Sequence, residues 1–158
     1  MPISRVKNMI HRALRGIIDL DLTRKQESHL WEYFEDACAY CGCPLKKKTK
    51  NAHMDHLIPV SKNGTNHVSN RVLSCARCNE HEKKDMDWEA FLRHKNPEPV
   101  DFEARKERIL DWQRQHGGAF RLPRGTELQL KASASAVCRS LELEVQRLKT
   151  RSSSCRNR

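Results

Sequence analysis

Apolar residues are scarce in this chain of 158: 37% are hydrophobic and 6% aromatic, against 32% charged. A core built from so few apolar side chains is small, and small cores commonly need a staple such as a structural metal. No apolar run approaches the roughly 20 residues that span a bilayer, so no membrane partner is expected. No apolar stretch follows Met1, so no secretory signal is read. Acidic residues are missing from the first 18 positions. That composition suits a mitochondrial leader as well as a helix lying on DNA. The cytoplasm is the expected compartment, with the mitochondrion as the alternative. No internal repeat is visible, and no aromatic signature of an RNA-binding module.

What the chain has in excess is positive charge and cysteine. The formal net charge is +10 and the isoelectric point near 9.5. A polyanion is the natural partner, nucleic acid above all, because each phosphate contacted releases counterions. There are seven cysteines, four of them in two Cys-x-x-Cys pairs: Cys38 with Cys41, and Cys75 with Cys78. An odd count in this pattern reads as reduced thiolates holding metal rather than as disulfides. Two such knuckles suit one tetrahedral structural Zn²⁺ with four sulfur ligands. Cys43 is a nearby spare thiol that could compete as a ligand.

Local pattern outlines the elements. Val6, Met9, Ile10, Ala13 and Leu14 fall at helical spacing in the basic first segment, residues 1–22. Its charged face is read equally as solvated or as contacting phosphate. Thr23 and Gln26 form a capping box for a helix expected to reach about Ala37, burying Leu30, Trp31 and Phe34. Strands are expected over 51–60 and 71–74, with a turn-rich loop over 61–66. A helix follows from Asn79, another is capped by Asp87, and a third is capped by Asp101 and stopped near Gln115 by Gly117-Gly118. Beyond Pro123, Leu141, Val145 and Leu148 give a short helical stripe. The Ser/Arg-rich end from Thr150 is expected to be disordered.

Between the knuckles lie Asp55-His56, Asn70 and, directly after Cys78, Asn79. Hydrolysing a phosphodiester needs an activated water and a cation on the phosphate oxygens. An imidazole can take the water's proton near neutral pH. A carboxylate and an amide oxygen suit a hard cation, Mg²⁺ or another divalent ion. Neighbouring strand residues point to opposite faces, so Asp55 can face the helix carrying Asn79 while His56 faces the phosphate. Each residue alone has an ordinary structural explanation. Their order between two knuckles favours chemistry.

Cys-Ala-Tyr-Cys-Gly, Met-Asp-His-Leu-Ile-Pro-Val-Ser-Lys-Asn-Gly-Thr-Asn and Ser-Asn-Arg-Val-Leu-Ser-Cys-Ala-Arg-Cys-Asn, with a following lysine, resemble the HNH endonuclease family over about residues 23–93. The likeness is to the zinc-knuckle-bearing type of phages and mobile elements. It implies an α+β fold: a small ββα-metal, treble-clef-like core with a structural zinc held by four cysteines, flanked by helices. The domain expected at 23–95 is followed by a helical extension at 96–125 and a basic tail at 126–158, partly helical or disordered. By resemblance His56 is the general base and Asp55 the metal-ligating carboxylate. Asn70 holds the loop and orients the histidine, and Asn79 is the second ligand of the catalytic cation. The family commonly has Cys-Asn-x-x-Lys, whereas here the lysine comes one residue late, at Lys83. Its phosphate contact is therefore assigned to Lys83, Lys84 or neither. His81 is the alternate metal ligand, although at ~100° per residue it faces about 200° away from Asn79. His53 and His67 are read as structural or solvated.

The expected activity is metal-dependent cleavage of double-stranded DNA, leaving 5′-phosphate and 3′-hydroxyl ends. Lys46, Lys47, Lys48 and Lys50, the first helix and the C-terminal arginines are expected to supply phosphate contacts. Cutting both strands with one active site would call for a homodimer. The alternative function is a zinc-stabilised nucleic-acid-binding module that does not cut.

Overall fold

The computed structural model describes residues 2–156, with side chains through Arg151. Contacts divide the chain into two units: Asp19–Arg121, and Met1–Ile18 together with Leu122–Arg158. The segment after residue 95, read from sequence as an extension, packs within the first of these as far as Arg121. No described helix is long and apolar enough to cross a membrane.

The smaller unit pairs α1 (Ile3–Ile18) with α5 (Arg124–Arg156). Lys7 on α1 meets Glu142 on α5, and Ala134 and Cys138 are buried. The sequence stripe around Leu141 is thus part of one helix of 33 residues. That helix continues through the Ser/Arg-rich segment where disorder was expected; Asn157 and Arg158 lie outside the described residues.

The larger unit begins with α2 (Arg24–Tyr33). Its capping box is complete: Gln26 N–H donates to the Thr23 hydroxyl, and Thr23 N–H to the Gln26 carbonyl at 2.9 Å. Leu30, Trp31 and Phe34 are buried as expected. The helix stops short of the expected end because Glu35 and Asp36 both adopt left-handed backbone, at φ 53° and 51°. This double turn swings the chain into the Cys38 knuckle, so a bend rather than a helix end delivers the first thiols.

Strands β1 (Ala52–His56) and β2 (Arg71–Cys75) form one antiparallel pair, with Asp55 opposite Val72 and His56 opposite Arg71. β1 is shorter than the strand expected over 51–60, and β2 runs one residue beyond the expected 71–74. Leu57 N–H extends the pairing to Asn70 O at 2.9 Å, before Pro59 removes the next useful donor. Ala39 N–H donates to Leu73 O at 2.8 Å, which ties the knuckle to the sheet. A π-helix, Arg77–Lys83, follows β2 directly. Then come α3 (Trp88–Lys95), capped by Asp87 through Glu89 and Ala90 N–H, and α4 (Pro99–Gln115). Asp101 lies in the first turn of α4 rather than at its cap, because Pro99 already supplies the helical φ at the start. Gly117 and Gly118, at φ 84° and 82°, end the helix as anticipated.

Trp112 locks α4 onto this core. It is fully buried, its ring meets Tyr33 and His116, and its indole N–H donates to Val68 O at 3.0 Å. Val68 opens the short turn Val68–Asn70 that leads into β2. Removing this ring opens a large cavity and frees that turn. Trp112→Ala is expected to lose ~3–5 kcal/mol of stability, measured by urea unfolding with zinc present.

Candidate functional site

The knuckle folds because residue 42 is glycine. Gly42 sits at φ 72°, its N–H bonds to Cys38 O at 2.8 Å, and an added Cβ would lie 2.3 Å from Arg105 Nη2. The turn gathers Cys38, Cys41, Cys43 and Cys75, whose sulfurs all lie within 4.8 Å of one another. Cys43 is therefore inside the cluster and not a bystander. Cys78 joins from the π-helix: it is fully buried, its N–H reaches Cys75 Sγ at 3.4 Å, and its thiol bonds to Cys38 and Cys41.

The electrostatics of these thiols fit a soft cation. Hydrogen bonds from the Cys38 and Cys78 thiols pull Cys41 far below the ordinary thiol range. The reciprocal bonds to Cys38 and Cys41 push Cys78 up, and burial pushes Cys43 up. A Zn²⁺ bound here would take its ligands as thiolates and displace their protons. Of five sulfurs only four are needed. Cys78 is fully buried, whereas Cys43 is half-buried at the lip. Zinc is expected at one per chain; Cys43→Ser should retain it and Cys78→Ser should lose it, read by metal analysis after gel filtration.

Asp55 and His56 leave β1 on opposite faces. Asp55 is buried, and everything around its carboxylate donates. Oδ2 accepts from the Tyr40 hydroxyl at 2.8 Å and sits 3.0 Å from Lys83 Nζ, while Oδ1 accepts from His56 N–H at 2.7 Å. Burial, then the Asp55 charge, push the Tyr40 phenol well above its ordinary pKa, so it stays a donor. Lys83 is itself buried and also donates to His56 O at 2.8 Å. This corrects the reading of Lys83 as a DNA contact: its ammonium faces inward and neutralises Asp55. The π-helix explains how. An α-helix brings positions three and four residues apart to one side. In this π-helix Asn79 and Lys83 both turn toward β1, Asn79 meeting His53 and Lys83 meeting Asp55 and the His56 carbonyl.

Removing one member of a buried ion pair strands the other in low dielectric. Lys83→Met is expected to lower stability by ~3–5 kcal/mol, and Asp55→Leu in the same chain to restore much of it. Thermal melts of the single and double variants measure the coupling.

Lys84, Lys46, Lys47, Lys48 and Lys50 are exposed, with Lys47 Nζ 5.5 Å from the Trp31 ring centre. His81 is exposed too. Asn79 packs toward β1, its Nδ2 donating to His53 Nδ1 at 3.3 Å. His53 Nε2 in turn meets Lys50 O at 3.0 Å and Glu80 at 3.5 Å. Neither oxygen that a hard cation would seek is exhausted: Asn79 Oδ1 is not spent on His53, and Asp55 Oδ1 takes one bond. A carboxylate and an amide oxygen are ligand types that a hard divalent ion takes.

Asn70 is buried and spends its whole amide on the loop between the strands. Oδ1 accepts from Ile58 N–H at 2.8 Å, and Nδ2 donates to Ile58 O at 3.1 Å and Thr65 O at 2.8 Å. Gly64 makes this closure feasible, since a Cβ there would lie 1.6 Å from Ile58 O. Nothing of Asn70 is left for the His56 ring, so that half of its expected role falls to another residue.

That residue is Asn66, which the sequence reading passed over as part of a turn. Its N–H donates to Asp19 Oδ1 at 2.7 Å and its Nδ2 to Asp19 O at 3.0 Å. The amide is thereby fixed with Oδ1 toward His56, 2.8 Å from Nε2. In the tautomer whose Nε2–H donates to Asn66 Oδ1, Nδ1 keeps the lone pair. Arg71 Nη1 lies 3.0 Å from Nδ1 and close to Nε2 as well. Burial, then the Arg71 charge, push His56 below its ordinary pKa, so the ring is neutral at pH 7. The site as a whole can bind a soft metal at the thiols and accept a proton at His56.

Compared with known proteins, residues 38–85 match the family model of the HNH endonucleases. No curated protein matches the chain.

Proposed function

We propose that the HNH endonuclease-family domain at residues 38–85 hydrolyses phosphodiester bonds of double-stranded DNA, with His56 as general base. The observation that carries this reading is the state of His56. It is neutral, and with Nε2–H given to Asn66 its Nδ1 holds a lone pair on the side of Arg71. A base poised this way takes the proton of a water as the oxygen attacks phosphorus. The imidazolium that forms is stabilised by Asn66 Oδ1, which Asp19 holds in place. Asp55 and Asn79 would hold the catalytic divalent ion, which supplies polarisation of the phosphate and charge for the leaving 3′ oxygen. Lys83 and Tyr40 hold Asp55 in place on its strand.

Cys38, Cys41, Cys75 and Cys78 would hold the structural zinc on which this geometry depends, with Cys43 the fifth sulfur of the cluster. Lys46, Lys47, Lys48 and Lys84 are exposed cations available to phosphates along the duplex, contacts that hold DNA without reading its sequence.

Purified protein should nick or linearise supercoiled plasmid with Mg²⁺ or Mn²⁺, and His56→Ala should be slower by at least ~10²-fold. The variant must keep its zinc and its melting transition for the comparison to count. Binding without cutting by both proteins would favour the non-catalytic nucleic-acid-binding module instead.

A further inference from the structure

Arg71 is the charged group next to His56 that the proposed hydrolysis leaves unused. It stands directly opposite His56 in the β1–β2 register, so both side chains rise from the same face of the pair. Its Nη1 touches both ring nitrogens of His56 and lies 3.5 Å from Asn66 Oδ1. The guanidinium is largely removed from water, yet no carboxylate lies within ion-pair distance of it among the described residues. Its Nε is buried and has no hydrogen-bond partner. The other buried cation in this region, Lys83, is by contrast fully answered by Asp55 and the His56 carbonyl.

Leaving a guanidinium partly desolvated and short of acceptors costs free energy that a neutral residue here would avoid. The arrangement becomes favourable once an anion arrives. A guanidinium presents parallel N–H groups that match two oxygens of a phosphate. The reacting phosphate must come within reach of His56, and that places its oxygens beside Arg71.

We propose that Arg71 is the phosphate-binding residue of this site: parked on His56 in the DNA-free protein, its guanidinium passes to non-bridging oxygens of the scissile phosphate when DNA binds. The exchange does two things. It gives the guanidinium the anionic acceptor it lacks, its buried Nε–H having no partner, and it uncovers Nδ1 of His56 for the attacking water. In the free protein Arg71 covers the base, so the lone pair is exposed only when a phosphate is in place. The same guanidinium then faces the charge that builds on those oxygens as the water attacks. This rests on the reading of His56 as base; the binding part does not require that the protein cut.

The test uses zinc-loaded full-length protein, with Arg71→Met to keep side-chain bulk without charge and Arg71→Lys to keep charge without the fork. Affinity for a duplex of about 20 base pairs is measured from about 50 to 200 mM salt with no other divalent ion present. Losing one phosphate contact should reduce the slope of log K against log salt by about 0.9 in Arg71→Met and leave it unchanged in Arg71→Lys. Plasmid cleavage by Arg71→Met should fall ~10²–10³-fold and recover in part when guanidinium ion is added. An unchanged slope in a folded Arg71→Met would overturn the phosphate contact. A reduced slope with wild-type cleavage would overturn its assignment to the scissile phosphate. If wild-type protein does not cut, the nuclease reading falls while the salt slope still decides whether Arg71 binds phosphate. Should Arg71→Met lose its zinc or its melting transition, Arg71→Gln serves in its place.

Discussion

A carboxylate buried between a metal knuckle, a strand and a helix must have its charge answered inside the protein, and Asp55 imposes that requirement on everything around it. The three groups that meet it come from three different elements. Tyr40 belongs to the knuckle between Cys38 and Cys41, His56 N–H to β1, and Lys83 to the end of the π-helix. None can move without unpairing Asp55 in a low-dielectric setting, where each lost partner is costly. The zinc thiols and the proposed base are thereby held in one frame: Tyr40 is flanked by thiols, and Lys83 closes the same helix that carries Cys78 in its first turn. The irregular π-helix is part of this solution. It turns Asn79 and Lys83 both toward β1.

The apolar core alone is a modest frame for this. Its larger members, Trp31, Phe34, Phe91, Phe102 and Trp112, come mostly from the helices that surround the two strands. The strands contribute Val72 and Leu73, and the loop between them is closed by an amide, Asn70, rather than by packing. Polar closures of this kind are specific because every donor and acceptor has one place to go. They are also brittle, since no neighbouring group can take over the lost bonds. The division of labour is that apolar helices hold the outside, the cysteine cluster gathers the knuckle, and buried hydrogen bonds set the angles at which Asp55 and His56 are presented.

This division also explains what could be read from sequence. The Cys-x-x-Cys spacing, the Asp55-His56 pair and Asn70 are local signals, because fixed residue types at fixed offsets have few uses. The capping box at Thr23 and the double-glycine stop after Gln115 were legible for the same reason. What stayed hidden depends on three dimensions. The early end of α2 depends on two left-handed acidic residues that carry no glycine to announce them. Lys83 looked like a surface cation because its burial depends on a helix type that composition does not signal. Cys43 looked spare because proximity across a turn is not spacing along a chain. Asn66 sat in a run of turn formers, where an asparagine usually bonds only its own backbone.

Asp19 is the instructive case. It lies outside residues 38–85, just after a basic segment with no acids of its own, and nothing near it in sequence suggests a role. Yet it is buried, and it fixes Asn66 through two bonds, one from the backbone N–H and one from Nδ2. Those bonds decide which way Asn66 Oδ1 points, and an acceptor there favours the proton on Nε2 of His56. Reversing the amide would offer a donor to Nε2 and move the proton to Nδ1, leaving no base on the Arg71 side. The chemistry assigned to the Asp55-His56 motif is thus set in part by a residue far from it in the chain. A segment with the same motif but no acceptor at that point would keep the histidine and lose control of its proton.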